Sequence, residues 1–418
     1  MPHLATPRRL STPRRLPTPR RLAPLGALVL LALAGCAAPS APSASIASAS
    51  SDDHGQIDGA AELAEPALGL TSIDADGRVS HLDLLKETTA DLGTVRAPAA
   101  VHSDGRYLFS ADADGVSIVD SGVWTWDHVD HFHYYRAPAR VIGEVAGRGV
   151  ATVATSNSST TGGTGVFFPD SGEAVLLDTE ALSKGEVAEN FRLTTEPGPG
   201  LVVPAGSFAA IAAAGQVSLH AVDGTTTGEA TPCADPAGTI TTRVGAVIGC
   251  RDGAVLVSVE GEQPVVEVIP YPSGTTAPPA TAFANREGRP SVAALAGDAG
   301  IWILDTRERA WTLLPAPEPL VQVTAVDDKN ANLLALTARG RVLVLDADTG
   351  AVRAASAPLV SESLAAGRPA HLVADQQRAY LNGPAENRMW EIDFADDARV
   401  AREFTPERTP LFFAETGR

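Results

Sequence analysis

Beyond residue 66 the chain repeats one short pattern: a glycine turn, a run of alternating apolar residues, and a closing acid. Gly77–Asp83, Gly115–Asp120, Gly172–Asp178 and Gly215–Asp223 carry it first; Gly253–Glu260, Gly300–Asp305, Gly340–Asp346 and Asn387–Asp393 continue it. The closing acids recur on average about every 44 residues, a spacing within the range of repeat architectures built from several strands per unit. Alternation at period two marks half-buried strands, and Gly with Asp marks the turns between them. No stretch sustains a helical period. The pattern predicts an all-β fold, a β-propeller of eight blades, with seven as the alternative. The first unit lacks an opening strand, which Pro410–Gly417 can supply, so that the C-terminal strand joins the first blade, closes the ring and removes its free edges. The closing acids, and Asp-Ala-Asp-Gly at 74–77 and 112–115, read as turn formers, because the other ligand positions of a calcium loop are missing.

One interval breaks the pattern. Asp120 and Asp178 stand about 14 residues further apart than the mean spacing, and the excess falls in an insertion at 121–139. There His128, His131 and His133 alternate with Asp127 and Asp130, among Trp124, Trp126, Phe132, Tyr134 and Tyr135. Neutral imidazole with carboxylate is a donor set for zinc, and the lack of nearby Cys or Met argues against Cu(I). His131 and His133, two apart, point the same way in an extended segment. The acids can also orient imidazoles by accepting the second ring N–H. His102 is the candidate ligand from outside the loop. Two plainer readings stand beside the metal one: a solvated loop, and a docking hairpin whose aromatics carry the energy. His81 and His220 lie within repeat strands and read as structural, while His371 opens the last unit and is expected to face the central channel.

The N-terminus reads as an address. Residues 1–22 repeat Thr-Pro-Arg-Arg-Leu and lead into the apolar run 25–34, the two regions of an export signal, too short to span a bilayer. Leu-Ala-Gly-Cys at 33–36 resembles the lipobox of bacterial lipoproteins, with Cys36 as the lipidation site. The expected organisation is a lipoprotein signal peptide at 1–35, a flexible lipid-anchored tether at 36–65, and the propeller at 66–418. The protein is thus expected to be exported and anchored to the outer face of the cell membrane, where Cys233 and Cys250 meet oxidising conditions and pair. The formal net charge is −18, and the first 35 residues hold only basic charges, so the exported part is more acidic still. That excludes nucleic-acid binding, which needs basic patches, and suits a surface that meets cations. No Walker loop and no Gly-x-Ser-x-Gly elbow occurs, so no enzyme is expected.

Several segments resemble one family. They are Asp-Ser-Gly-Val-Trp at 120–124, the histidine-rich 127–135, Gly-Val-Phe-Phe-Pro-Asp-Ser-Gly at 165–172, Cys233 with Gly-Cys-Arg-Asp-Gly at 249–253, and 379–388 through 416–418. Together they are similar to the AztD zinc metallochaperones. The resemblance implies an extracytoplasmic propeller that binds zinc and hands it to the solute-binding protein of a zinc ABC importer. It carries His128, His131 and His133, with Asp127 or Asp130, over as zinc ligands. A monomer is expected, touching the membrane only through its lipid. Since the ligands must be neutral imidazoles, binding is expected to weaken as pH falls through about 6.5. Two rival functions fit the pattern: a lipoprotein scaffold without metal transfer, and a metal-dependent hydrolase or lyase at the central channel, where only His371 and His102 offer imidazoles.

Overall fold

In the computed structural model the described residues are 55–128 and 131–418. The expected signal segment 1–35, the lipidation site Cys36, tether residues 37–54 and Asp130 lie outside them. Eight antiparallel sheets follow one another along the described chain, seven of four strands and one of three, and a further three-stranded sheet belongs to the insertion. Every repeat run supplies one strand to its own sheet: Arg78–Asp83, Gly115–Asp120, Glu173–Asp178 and Gln216–Ala221 in the first four, Gly253–Glu260, Ile301–Asp305, Val342–Asp346 and Arg388–Asp393 in the others.

The sheets pack face to face around a circuit. Tyr107, Phe109 and Ile118 of the second sheet meet Val166, Phe168 and Val175 of the third. Leu201 and Val203 of the fourth meet Ile248 and Val255 of the fifth. Leu70, Leu82 and Phe413 of the first meet Tyr380, Met389 and Phe404 of the eighth. This is a β-propeller. Because each sheet is covered on both faces, its central strands are buried along their whole length rather than half-buried, as in Tyr107–Ala111, Gly163–Phe168 and Asn332–Thr337. Gly165 shows how close the layers come, since a Cβ there would lie 1.8 Å from the Val202 carbonyl oxygen.

The missing strand of the first sheet comes from the other end of the chain: Phe412–Thr416 pairs antiparallel with Gly69–Ile73, from Gly69↔Thr416 to Ile73↔Phe412. The three-stranded sixth sheet (Ser291–Leu295, Ile301–Asp305, Ala310–Leu314) gains only a single bridge, Ala284↔Ala293, at its inner edge. Cys233, just past the outer strand of the fourth sheet, is bonded to Cys250 at the end of a fifth-sheet strand, which cross-links neighbours. The repeat acids do work as turn formers: Asp83, Asp120, Asp305, Asp346 and Asp393 each accept a backbone N–H two residues on, and Asp178 caps the helix Thr179–Lys184. No helix among the described residues is long and apolar enough to cross a membrane.

The end of the expected tether 36–65 departs from expectation. Ala61–Leu63 is a strand, paired antiparallel with Phe132–Arg136 of the insertion, and Gly55 is buried. A hairpin edge offers a row of backbone donors and acceptors, and these recruit a passing segment whatever its side-chain pattern.

Candidate metal centre

The insertion leaves the third strand of the second sheet, forms the hairpin Val123–Asp127 and Phe132–Arg136, and returns as the outer strand Arg140–Ala146. Its base is fixed by buried chemistry. Arg106 donates to both carboxylate oxygens of Asp120 at 3.0 and 2.9 Å, with neither side chain reached by solvent. The same guanidinium lies 3.8 Å from the Trp124 ring centroid, and Trp124 stacks on Tyr135 at 5.4 Å. Trp124 Nε1 donates to the Gly55 carbonyl at 3.1 Å, Thr125 Oγ1 to the Gly417 carbonyl at 2.8 Å, and Arg136 to Asp83 at 3.0 Å. Gly55 must be glycine: its φ is +70° and a Cβ would sit 2.3 Å from Trp126. Burial and the nearby Glu62 carboxylate push the Tyr135 phenol up.

Above this base the structure brings three of the expected ligands together. Ring centroids are 4.8 Å apart for His128 and His131, 4.7 Å for His131 and His133, and 6.2 Å for His128 and His133. His133 faces Trp126 across the hairpin. Its Nδ1 lies 2.7 Å from Glu62 Oε1, and its Nε2 lies 2.9 Å from Nε2 of His131. A carboxylate can only accept, so Nδ1 of His133 donates to Glu62, which leaves its Nε2 turned toward Nε2 of His131. The donor set suits zinc, but the described residues hold no group of three or more His, Cys, Asp or Glu arranged around a metal position. Two nitrogens on one tetrahedral zinc, at roughly 2.0–2.1 Å each, stand about 3.3 Å apart. To share one zinc the two Nε2 atoms would open by a few tenths of an ångström and both present lone pairs, a side-chain adjustment only.

Asp127 ends the first hairpin strand opposite Phe132, which is largely exposed. His102 does not join the group. It sits on Ala100–Ser103, two strands from the one that launches the hairpin, with Nε2 3.4 Å from Thr155 Oγ1 and its ring against Phe109. Burial lowers it to about 4, so it is a neutral packed imidazole. The hairpin hangs from the outer half of the sheet, and His102 lies at the opposite edge. Glu62, which touches His133, was missed in the sequence; it lies in an aperiodic stretch and no local signal marks it.

A second polar centre forms where the inner edges of the sheets meet. Arg418 pairs with Glu415 at 3.1 Å and Glu287 at 3.2 Å and donates to the Ala374 carbonyl at 3.2 Å. Burial pushes Glu415 up to about 8 and Asp104 up to about 6, against the opposing pull of Arg418 on the first, and of backbone N–H groups and Arg106 on the second. His371, near Phe412, is lowered by burial. His81 and His220 are satisfied within their sheets, bonded to Thr71 and to Ser218 with the Gly224 carbonyl.

No protein-family model and no curated protein matches the sequence. Solved structures do match. A crystal structure of AztD from Citrobacter koseri superposes with a TM-score of 0.72 at 18% identity, covering 85% of this chain and 99% of that one. Apo AztD from the same organism gives 0.71 at 17% identity, over 84% and 98%. The dihydro-heme d1 dehydrogenase NirN, in complex with DHE, gives 0.52 at 16% identity, over 85% and 76%. At these identities the likeness is one of fold, and the fold of this chain is that of AztD.

Proposed function

We propose that the protein is an extracytoplasmic zinc-binding metallochaperone, anchored through Cys36, that takes up zinc at His128, His131 and His133. Asp127 or Asp130 completes the ligand set, and the cargo passes to the solute-binding protein of a zinc ABC importer. The observation that carries this reading is the gathering of three imidazoles on the one hairpin that interrupts the repeat, on a propeller with the fold of AztD. An exposed tip favours exchange of ligands one at a time with a partner, which a closed four-thiolate site does not allow. The acidic surface supports the reading as well, because it draws cations to the protein.

The test is a zinc titration of the purified protein against a competing chelator, beside the variant His128→Ala/His131→Ala/His133→Ala. Tight binding is expected in the first and absent from the second. Equal affinity in both would overturn the site. Hand-off is checked by mixing zinc-loaded protein with the apo solute-binding protein in excess chelator, where direct transfer protects the zinc and release into solution does not.

A further inference from the structure

The N-terminal strand Ala61–Leu63 is the third strand of the histidine hairpin, in register Ala61↔Arg136, Glu62↔Tyr135 and Leu63↔Tyr134. Its Glu62 carboxylate is 2.7 Å from Nδ1 of His133, in a pair where the imidazole is mostly covered and the carboxylate is half-exposed. The segment is held a second time by the Gly55 carbonyl on Trp124 Nε1 and by the Gly55 backbone lying against Trp126. These contacts bring chain that is 71 residues away in sequence onto the candidate site.

We propose that Glu62 is a positioning residue of the zinc site, and that the strand carrying it is a detachable clamp whose docking and zinc loading reinforce each other. The proposal rests on the zinc reading of the hairpin. A carboxylate on Nδ1 fixes the ring's tautomer and rotation and leaves Nε2 as the metal donor, beside Nε2 of His131. Without that acceptor the ring can flip or carry its proton on Nε2, and each alternative takes population from the binding-competent form. If docked Glu62 raises zinc affinity, bound zinc must tighten the docking of the strand by the same factor. Lifting the strand then loosens the cargo. The clamp is made of one short strand, a glycine contact and one carboxylate, and it is itself the end of the segment 36–65 expected to tether the protein.

Three variants of the full chain test it: Glu62→Ala, Glu62→Gln and the triple histidine variant. Glu62 is exposed enough for both substitutions to leave the fold intact, which thermal unfolding verifies. Glu62→Ala is expected to weaken zinc by about tenfold to a hundredfold, the usual effect of losing a carboxylate behind a metal-bound imidazole. Glu62→Gln keeps an acceptor oxygen and is expected to recover most of that loss. Hydrogen exchange at residues 61–63 is expected to slow on adding zinc to the wild type, and not in the triple histidine variant. If Glu62→Ala binds zinc within twofold of wild type while the triple variant does not bind, the clamp is wrong and the zinc site stands. If all bind alike, the zinc site itself falls. A Glu62→Gln loss as deep as that of Glu62→Ala, or exchange at 61–63 indifferent to zinc, also overturns the positioning role.

Discussion

His81 illustrates how a single side chain of the repeat answers to its surroundings. It lies in a central strand with Nδ1 2.9 Å from Thr71 Oγ1, and burial holds it at about 4, with Asp83 opposing and Arg136 adding. The unfolded chain takes up this proton near the ordinary 6.5, while the folded chain does so only near 4. Its contribution to stability is therefore present above about 6.5 and lost as pH falls toward 4. Denaturant unfolding across that window is expected to show a shallower decline in His81→Gln than in wild type, and equal slopes would sink the assignment. The neighbouring sequence made a structural role for His81 readable, since it lies inside one of the repeat strands. The contact of Glu62 with His133 was not readable, because the two stand 71 residues apart.

The hairpin is a small element resting on a buried charge pair. Arg106 and Asp120 are both closed off from solvent, and the guanidinium also carries the Trp124 ring. Removing one partner leaves an uncompensated buried charge, so Asp120→Ala is expected to destabilise by about 3–5 kcal/mol in urea unfolding. Replacing both, as Arg106→Met with Asp120→Leu, is expected to cost less than Asp120→Ala alone; a double variant that is worse would show the pair itself to be stabilising. The presence of this element was legible from the excess length and from three histidines within six residues, a purely local signal. Its third strand was not. Residues 55–65 have neither period nor apolar density, and what orders them is the open edge of the hairpin and the Trp124 and Trp126 side chains. His102 lies on the edge strand opposite the one to which the hairpin returns, a placement set by the strand order of the sheet and not by any local pattern.

At the scale of the whole molecule, neighbouring sheets are joined by packing and, once, covalently. The Cys233–Cys250 bridge closes a loop with a separation of 17 residues between the fourth and fifth sheets. Cys233→Ser with Cys250→Ser is expected to lower stability by about 3 kcal/mol on the loop-entropy model, measured by guanidinium unfolding. A loss well below about 1 kcal/mol would mean that packing between Leu201, Val203, Ile248 and Val255 already fixes this junction. The architecture itself was the most legible property of the sequence, since eight similar units each name one strand. The sixth sheet was the exception: its inner edge is a single bridge, and no run of residues announces it. The pairing of Phe412–Thr416 with Gly69–Ile73 has a consequence for the order of assembly. A chain delivered N-terminus first exposes the flank of Gly69–Ile73 early and cannot cover it until Phe412–Thr416 arrives, with Thr71 and Thr416 separated by 345 positions. The closing step thus joins segments far apart in the chain and is expected to be slow, and until it happens an open strand edge stands available to any other extended segment nearby.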